Sequence, residues 1–340
     1  MNINDPKYLR NLFRLRSGGF DSLGAADAIA TGQIFLESEL NKADTRVRMP
    51  LEGHTYFRDI PIQTGGGWVD TETGAFVDVS GPSTSHGTGT GSNDIGVIEY
   101  NRSQDVYPTF GYQRSVRIPL IESLKLAQAN KSPNDILDKA VRIDWHKTLD
   151  RRVYSGDFGH KGLLNHALVT AQSMQNGTQA SPGPSWTTKS VLDLYNDFNF
   201  MAKTQWALGG YSSEAIPDRF LIPATAYDKL LQPMVLAGGV TLTQNVLEYI
   251  KGNYYGKTFG ITPEIYPVPY WLETAGAGTT RRVVAYRFND DCLAFGILQD
   301  ITRQGGALSL QDGAFVTTYV ANMGVVKIFR PQTIGYFDGI

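Results

Sequence analysis

The stretch SPNDILDKAVRIDWHKTLDRRVYSG, residues 132–156, carries the clearest helical signal in this sequence. Ser132, Pro133 and Asp135 supply a hydroxyl cap, a first-turn proline and an acidic third position, which together favour a helix start. The apolar residues that follow recur at helical spacing along one stripe: Ile136, Leu137, Ala140, Val141, Trp145, Leu149 and Val153. Because Gly156 offers a stop, we predict a helix of about 20 residues, about 30 Å long.

The region before this helix has the composition of an extended hairpin. Two segments, His54–Gln63 and Gly96–Val106, are rich in Ile, Val, Tyr and Phe and predict strands. The sequence between them is crowded with Gly, Ser, Thr and Asp, most densely in SGPSTSHGTGTGSND at residues 80–94. A connection this long is abnormal inside a compact domain, so we expect a tip that is disordered or is ordered by a neighbouring molecule. Further upstream, residues 1–24 indicate an extended arm and residues 25–40 a short helix.

The sequence after the long helix alternates helical and strand patterns, which is typical of an α/β region. Helices are predicted over Ala224–Leu231, over Thr243–Lys251, and from Thr188 or Ser190 to about Trp206; another, Ile118–Ala129, precedes the long helix. The helix ending near Trp206 has a predicted inner face of Val191, Leu192, Tyr195, Phe198, Ala202 and Trp206. Strands are predicted over Arg219–Ile222, Glu264–Val268, Arg281–Phe288, Cys292–Leu298, Phe315–Phe329 and Thr333–Phe337.

Composition excludes several classes of protein. The 340 residues carry 31 Lys and Arg against 33 Asp and Glu, a net charge of −2, which argues against a strongly cationic nucleic-acid binder or a polybasic membrane binder. No window approaches the roughly 20 apolar residues of a membrane span, and no signal peptide is visible at the start. Only 19% of the residues are charged and 11% are aromatic, which favours a surface that partners cover.

We predict no catalytic, cofactor-binding or metal-binding residues. The segment Gly252–Thr258 lacks the first glycine of a phosphate loop, and Gly87, Gly89 and Gly91 lack the following helix of a dinucleotide loop. The single cysteine, Cys292, begins an apolar strand and is expected to be a buried structural thiol. Asp290 and its neighbour Asp291 are interpreted as turn residues. None of the five histidines is spaced as a zinc motif: His54, His86, His146, His160 and His166.

The order of elements resembles the HK97-type major capsid proteins of tailed bacteriophages, in which an N-terminal arm, an extended loop, a spine helix, a peripheral domain and an axial domain follow one another. Local sequence resembles one branch of that family in five segments: residues 152–165 (RVYSGDFGHKGLLN), 216–231 (IPDRFLIPATAYDKLL), 243–250 (TQNVLEYI), 281–286 (RRVVAY) and 333–340 (TIGYFDGI). The resemblance covers residues 25–340, although residues 64–96 do not align with a family pattern.

The resemblance implies a fold and a set of boundaries. The fold class is α+β, an HK97-type capsid fold with an N-terminal arm, an extended β-hairpin loop, a long spine helix, a peripheral domain and an α/β axial domain. The boundaries are 1–53 for the arm and short helix, 54–117 for the extended loop, 118–185 for the spine helix and peripheral domain, 186–312 for the axial domain, and 313–340 for the closing strands of the peripheral domain.

The resemblance also implies a structural protein that is not an enzyme and needs no cofactor. It would assemble in the host cytoplasm as a homo-oligomer of many copies, in hexamers and pentamers, and end in the virion as an icosahedral head around double-stranded DNA. The implied partners are a portal, a decoration or cement protein and a separate scaffolding protein, since only about 50 residues precede the loop. Contact with packaged DNA would be weak and non-specific, and no membrane would be involved.

Two alternatives stay open at this point. An encapsulin-like bacterial compartment would share the fold and enclose an enzyme instead of a genome. A cytosolic enzyme would need titratable groups that converge in a pocket.

Overall fold

A computed structural model of the chain describes residues 53–80, 99–128, 133–178, 183–235, 239–309 and 313–340. The predicted arm, the predicted helix at residues 25–40, the cap at Ser132 and the loop tip beyond Ser80 lie outside these residues.

The described residues form helices and strands that are numbered here in chain order. The helices are α1 (Tyr56–Asp59), α2 (Leu120–Gln128), α3 (Pro133–Tyr154), α4 (Val191–Leu208), α5 (Ala224–Tyr227) and α6 (Val246–Asn253). The strands are β1 (Ile62–Thr64), β2 (Thr71–Ser80), β3 (Glu99–Pro108), β4 (Phe110–Pro119), β5 (Ala171–Ser173), β6 (Arg219–Pro223), β7 (Pro233–Val235), β8 (Thr241–Asn245), β9 (Glu264–Val268), β10 (Arg282–Tyr286), β11 (Leu293–Ser309), β12 (Ala314–Ile328) and β13 (Ile334–Asp338).

The long helix predicted from the sequence is α3, which has 22 residues. Its buried stripe consists of Val141, Trp145, Leu149 and Val153, whereas Ala140, which we had placed on the same stripe, is exposed. The chain leaves the helix through Gly156, which has a φ of 83°. A side chain at Gly156 would collide with the carbonyl oxygen of His160, so the tight exit from α3 requires glycine.

Helix α3 packs on a four-stranded sheet in the order β1-β11-β12-β4. Strand β1 is parallel to β11, and the other neighbours are antiparallel. Trp145 is buried against this sheet: its ring centroid lies 4.9 Å from that of Tyr112 on β4, and its Nε1 donates a hydrogen bond of 3.1 Å to Asp300 on β11. The prediction that Trp145 lies on the apolar stripe of this helix is therefore confirmed.

A second sheet has five strands, in the order β5-β13-β10-β6-β9, and both faces of its central strands are buried. On β6, Leu221 packs into the core that contains α3, while Phe220 and Ile222 pack into the core beneath α4 and α6. Strand β10 alternates in the same way. Because both faces are covered, the two strands read as continuous apolar runs in the sequence, which is why they were predicted well.

The segment His54–Gln63 was predicted as a strand, and this prediction is wrong. The structure has the short helix α1 followed by the three-residue strand β1. The carboxylate of Asp150 on α3 accepts hydrogen bonds from the backbone N–H groups of Thr55 and Tyr56, at 3.1 and 3.0 Å, and so fixes the start of α1. These partners lie 94 and 95 residues away in the chain, so the local pattern could not report them.

The helix α4 begins where the sequence predicts, at a capping box. The Oγ of Ser190 accepts from the N–H of Asp193 at 3.2 Å, and the Asp193 carboxylate accepts from the N–H of Ser190 at 3.1 Å. Its buried face differs from the predicted one, since Leu192, Tyr195 and Trp206 are only partly buried. The buried face consists of Asp193, Leu194, Asp197, Phe198, Met201, Ala202 and Gln205.

The predicted helix Thr243–Lys251 is also shifted in the structure. Residues 241–245 form strand β8, which pairs with β7, and the helix begins only at Val246. The side chain of Asn245 caps it by accepting a hydrogen bond of 2.8 Å from the N–H of Glu248. A cap residue breaks the helical pattern at its own position, so the boundary moves by three residues.

Candidate assembly surface

The most exposed element of the described chain is the hairpin of β2 and β3. The two strands pair over ten residues, from Thr71 opposite Pro108 to Ser80 opposite Glu99. Three large apolar residues on it are well exposed: Val77 at 61%, Tyr100 at 66% and Val106 at 59%. An isolated two-stranded ribbon has only marginal stability in water. Its exposed apolar side chains therefore make it a candidate surface for contact with another subunit.

The base of the hairpin is held by aromatic rings. Phe329, just after β12, lies with its ring centroid 5.9 Å from that of Phe76 and 6.2 Å from that of Tyr107. Gly74 faces this cluster, and a Cβ there would lie 3.1 Å from the Phe329 ring. A cavity of about 420 Å³ opens beside the cluster, between the hairpin and the turn at Asp290 and its neighbour Asp291.

A buried ion pair fixes the hairpin to the four-stranded sheet. Lys327 on β12 is buried, and its Nζ donates hydrogen bonds to Glu72 Oε1 at 3.0 Å and to Gln63 Oε1 at 2.7 Å. The Glu72 carboxylate lies over two glycines of neighbouring strands, Gly296 and Gly324. A Cβ on Gly296 would lie only 2.5 Å from the carboxylate, so the pair exists because these two strands carry no side chains there.

The loop that leads into the hairpin is fixed by Asn322. Its Nδ2 donates to the carbonyl oxygens of Gly67 and Val69, at 3.0 and 3.1 Å. Gly65, its neighbour Gly66 and Gly67 all have positive φ values, of 113°, 107° and 67°, which a side chain would oppose. The hairpin is therefore positioned by its own subunit at its base.

The two ends of residues 60–112 pack on their own subunit. Strand β1 pairs with β11, Tyr112 is buried against Trp145, and the hairpin base has the contacts just described. Among the described residues of this segment, large apolar side chains remain exposed on the hairpin and at Trp68 in the loop before it.

A second exposed apolar surface lies at the start of α2 and the adjoining end of the four-stranded sheet. Leu120, Ile121 and Leu124 are exposed on α2. On the sheet, Leu308 of β11 and Phe315 of β12 are exposed at directly paired positions. Contiguous apolar side chains at a surface mark a site for another macromolecule.

The Glu72–Lys327 pair gives a testable prediction. Glu72→Gln keeps the shape of the side chain but leaves the buried Lys327 ammonium without its anion, so it should lower the free energy of unfolding of the purified subunit by about 1.5–3 kcal/mol. Urea unfolding measures the loss. The double variant Glu72→Gln with Lys327→Met should recover part of it, because the unpaired charge is gone; a double variant less stable than the single would contradict this explanation.

Two side chains that the sequence analysis singles out, those of Cys292 and Lys257, make structural contacts within the described part of the chain. Cys292 is buried, and burial raises the pKa of its thiol. Lys257 of the segment that resembles a phosphate loop donates from Nζ to the carbonyl oxygen of Gly252 at 2.8 Å. In the described part of the chain, no three His, Cys, Asp or Glu side chains converge as metal ligands.

No described helix is both long and apolar enough to cross a membrane.

Sequence reasoning missed the residues that position the hairpin. Glu72 and Lys327 are 255 residues apart, and neither stands in a recognisable motif. The available signal was indirect: Gly296 and Gly324 interrupt two apolar strands, and an isolated glycine in a strand marks a close approach.

Solved structures with the same arrangement are phage and phage-like capsids. The capsid of Myoviridae phage XM1 superposes with a TM-score of 0.69 at 16% identity, covering 89% of this chain and 98% of that one. Mycobacterium phage Adephagia gives 0.56 at 12% identity, covering 90% and 96%. The capsid of a native GTA particle gives 0.58 at 11% identity, covering 88% and 96%. The fold is therefore the α+β fold of HK97-like capsid subunits, as the sequence resemblance implied.

The family follows from the sequence itself. The profile of the family described as "Major capsid protein" matches residues 84–340. No curated protein shows a significant match to the sequence. This chain belongs to the major capsid protein family: it is a structural capsid protein that assembles in many copies into a shell, and is not an enzyme.

Proposed function

We propose that the chain forms the hexamers and pentamers of an icosahedral head that encloses double-stranded DNA. The observation that carries this proposal is the match of the major capsid protein family to residues 84–340. The structural superposition, which covers 98% of the phage XM1 capsid chain, supports it. The encapsulin-like compartment is the second candidate, and the family match favours the phage head over it.

The domain division is part of the same proposal. Helix α3 and the four-stranded sheet would belong to the peripheral domain, and the five-stranded sheet with α4 and α6 to the axial domain. This division differs from the boundaries that the resemblance implied, which put β11 in the axial segment 186–312 and β5 and β13 in the peripheral segments 118–185 and 313–340. The two hydrophobic cores on opposite faces of the five-stranded sheet support this division. The hairpin of β2 and β3 would be the extended loop that lies on a neighbouring subunit, because its outer apolar side chains are exposed within their own subunit.

The proposed partners are a separate scaffolding protein, a portal, and a decoration or cement protein, with assembly in the host cytoplasm. Contact with the packaged genome would be weak and non-specific, since a net charge of −2 neutralises few phosphates. Negative-stain microscopy of the expressed protein tests the proposal. Closed shells of uniform diameter are expected, and a protein that stays monomeric with or without a scaffolding partner would contradict it.

The mature shell should lack covalent links between subunits. An isopeptide link from the extended loop would need a lysine amine as nucleophile, and the sequence has no lysine between Lys42 and Lys125. Arginines of the loop stay protonated and cannot replace it. Boiled virions on a reducing denaturing gel should give a monomer band near the chain mass of 37.4 kDa. A ladder of heavier bands that survives boiling would show that a lysine elsewhere had reacted.

A further inference from the structure

The end of the spine helix α3 holds a buried cation with unsatisfied donors. Arg152 is only 2% exposed, yet neither terminal nitrogen of its guanidinium has a hydrogen-bond partner among the residues that the structure describes. Desolvation lowers the pKa of Arg152, although a guanidinium stays charged in a protein. Buried charges without an acceptor are costly and rare, so this one calls for an explanation.

The groups around Arg152 do not supply an acceptor. Its guanidinium carbon lies 4.5 Å from the ring centroid of Phe110 and 5.2 Å from that of Phe158, and these two rings stack at 5.3 Å. Aromatic faces attract a cation but do not replace acceptors for its in-plane N–H groups. The carboxylate of Asp157 attracts the guanidinium electrostatically but makes no hydrogen bond to its terminal nitrogens; its Oδ1 accepts from the N–H of Phe158 at 3.0 Å.

The turn that covers Arg152 is strained and apolar on its outside. Phe158 is 68% exposed and has a φ of 52°, in the left-handed region that phenylalanine avoids. It lies between Gly156 and Gly159, with φ values of 83° and 82°. Strain of this kind clusters at sites that bind or switch. The exposed Phe158 ring and the Arg152 guanidinium without hydrogen-bond acceptors both cost free energy. A single binding partner at this position could relieve both.

We propose that the Arg152 corner, defined as Arg152, Phe110 and Phe158, is a contact between subunits that receives a carboxylate side chain from a second copy of this chain. The inference rests on the proposed function. Both terminal nitrogens of Arg152 are buried, so a neighbour's carboxylate reaches them only if the neighbour displaces the exposed Phe158 ring. The carboxylate would then satisfy both nitrogens in a bidentate pair.

Carboxylate chemistry fits this corner better than the phosphates of DNA. Binding to a phosphate backbone uses several cations along an exposed surface, whereas the corner offers one buried guanidinium behind aromatic rings. A copy of the same chain supplies the partner, since the family assembles in many copies and each copy carries 33 Asp and Glu residues.

The test is Arg152→Met, measured on the purified subunit and on shells free of nucleic acid. Removing an unpaired buried charge should leave the Tm of the isolated subunit unchanged or raise it. In the conditions that give closed wild-type shells, the subunit concentration for half-maximal assembly should rise at least tenfold. Arg151→Met removes the same charge from the exposed neighbouring position and should stay within twofold of wild type. A density map of the wild-type shell should place a neighbour's carboxylate within hydrogen-bond distance of Arg152.

Several outcomes would overturn the inference. A lower Tm of the Arg152→Met subunit, with assembly reduced only in proportion, would assign Arg152 a role within its own chain. If the wild-type protein forms shells and the Arg152→Met variant assembles equally well, this inference is overturned and the proposed function stands. An effect confined to DNA-filled shells would identify phosphate as the ligand instead. A wild-type protein that forms no shells would overturn the proposed function, and this inference with it.

Discussion

Replacing Trp145 with alanine should lower the free energy of unfolding of the purified subunit by about 3–5 kcal/mol, the usual cost of truncating a large aromatic side chain in a core. Trp145 is 1% exposed and lies between the spine helix α3 and the four-stranded sheet. Its loss leaves a cavity beside Tyr112 and removes the hydrogen bond to Asp300. A loss of this size is a large part of the stability of an ordinary domain.

Urea unfolding of the unassembled subunit measures this effect, and Trp68 provides the matched control. Trp68 is 59% exposed, so Trp68→Ala removes the same atoms from the surface and should change stability by no more than about 0.5 kcal/mol. If Trp145→Ala cost less than about 1 kcal/mol, the packing of α3 on the sheet would be weaker than a core contact.

Deleting residues 80–94 should leave a folded subunit that no longer forms closed shells. Most of these residues lie outside the described part of the chain. The strands on either side form the hairpin β2–β3, on which the side chains of Val77, Tyr100 and Val106 are exposed. The hairpin base should survive, because Phe329, Lys327 and Asn322 hold it from the sheet. The deletion should therefore impair shell assembly without impairing the folding of the subunit.

Circular dichroism and thermal unfolding report the fold, with a change in Tm of no more than about 4 °C expected, and microscopy reports assembly. A variant in which residues 80–94 are replaced by a Gly/Ser segment of equal length is the control. It distinguishes a need for these particular side chains from a need for loop length. Normal shells from the deletion variant would show that this segment makes no contact that assembly requires.

The sequence by itself determined the elements whose signals are local. The helix α3 was predictable because the predicted cap, the apolar stripe and Gly156 all lie within 25 residues of one another in the sequence. Strands β6 and β10 were predictable because burial on both faces turns them into continuous apolar runs. The ordered resemblance of such segments also led to the capsid fold before any tertiary contact was known.

The tertiary structure alone decided the features that depend on residues far apart in the chain. Residues 56–59 form a helix because Asp150 caps it from α3, although their composition favours a strand. The hairpin is anchored because Glu72 meets Lys327 over Gly296 and Gly324, across 255 residues of sequence. The terminal nitrogens of Arg152, which have no hydrogen-bond partner among the described residues, are buried only where the turn at Phe158 closes over them. Periodicity reports which face of an element is buried, but not what it is buried against, because the partner is chosen by packing and charge in three dimensions.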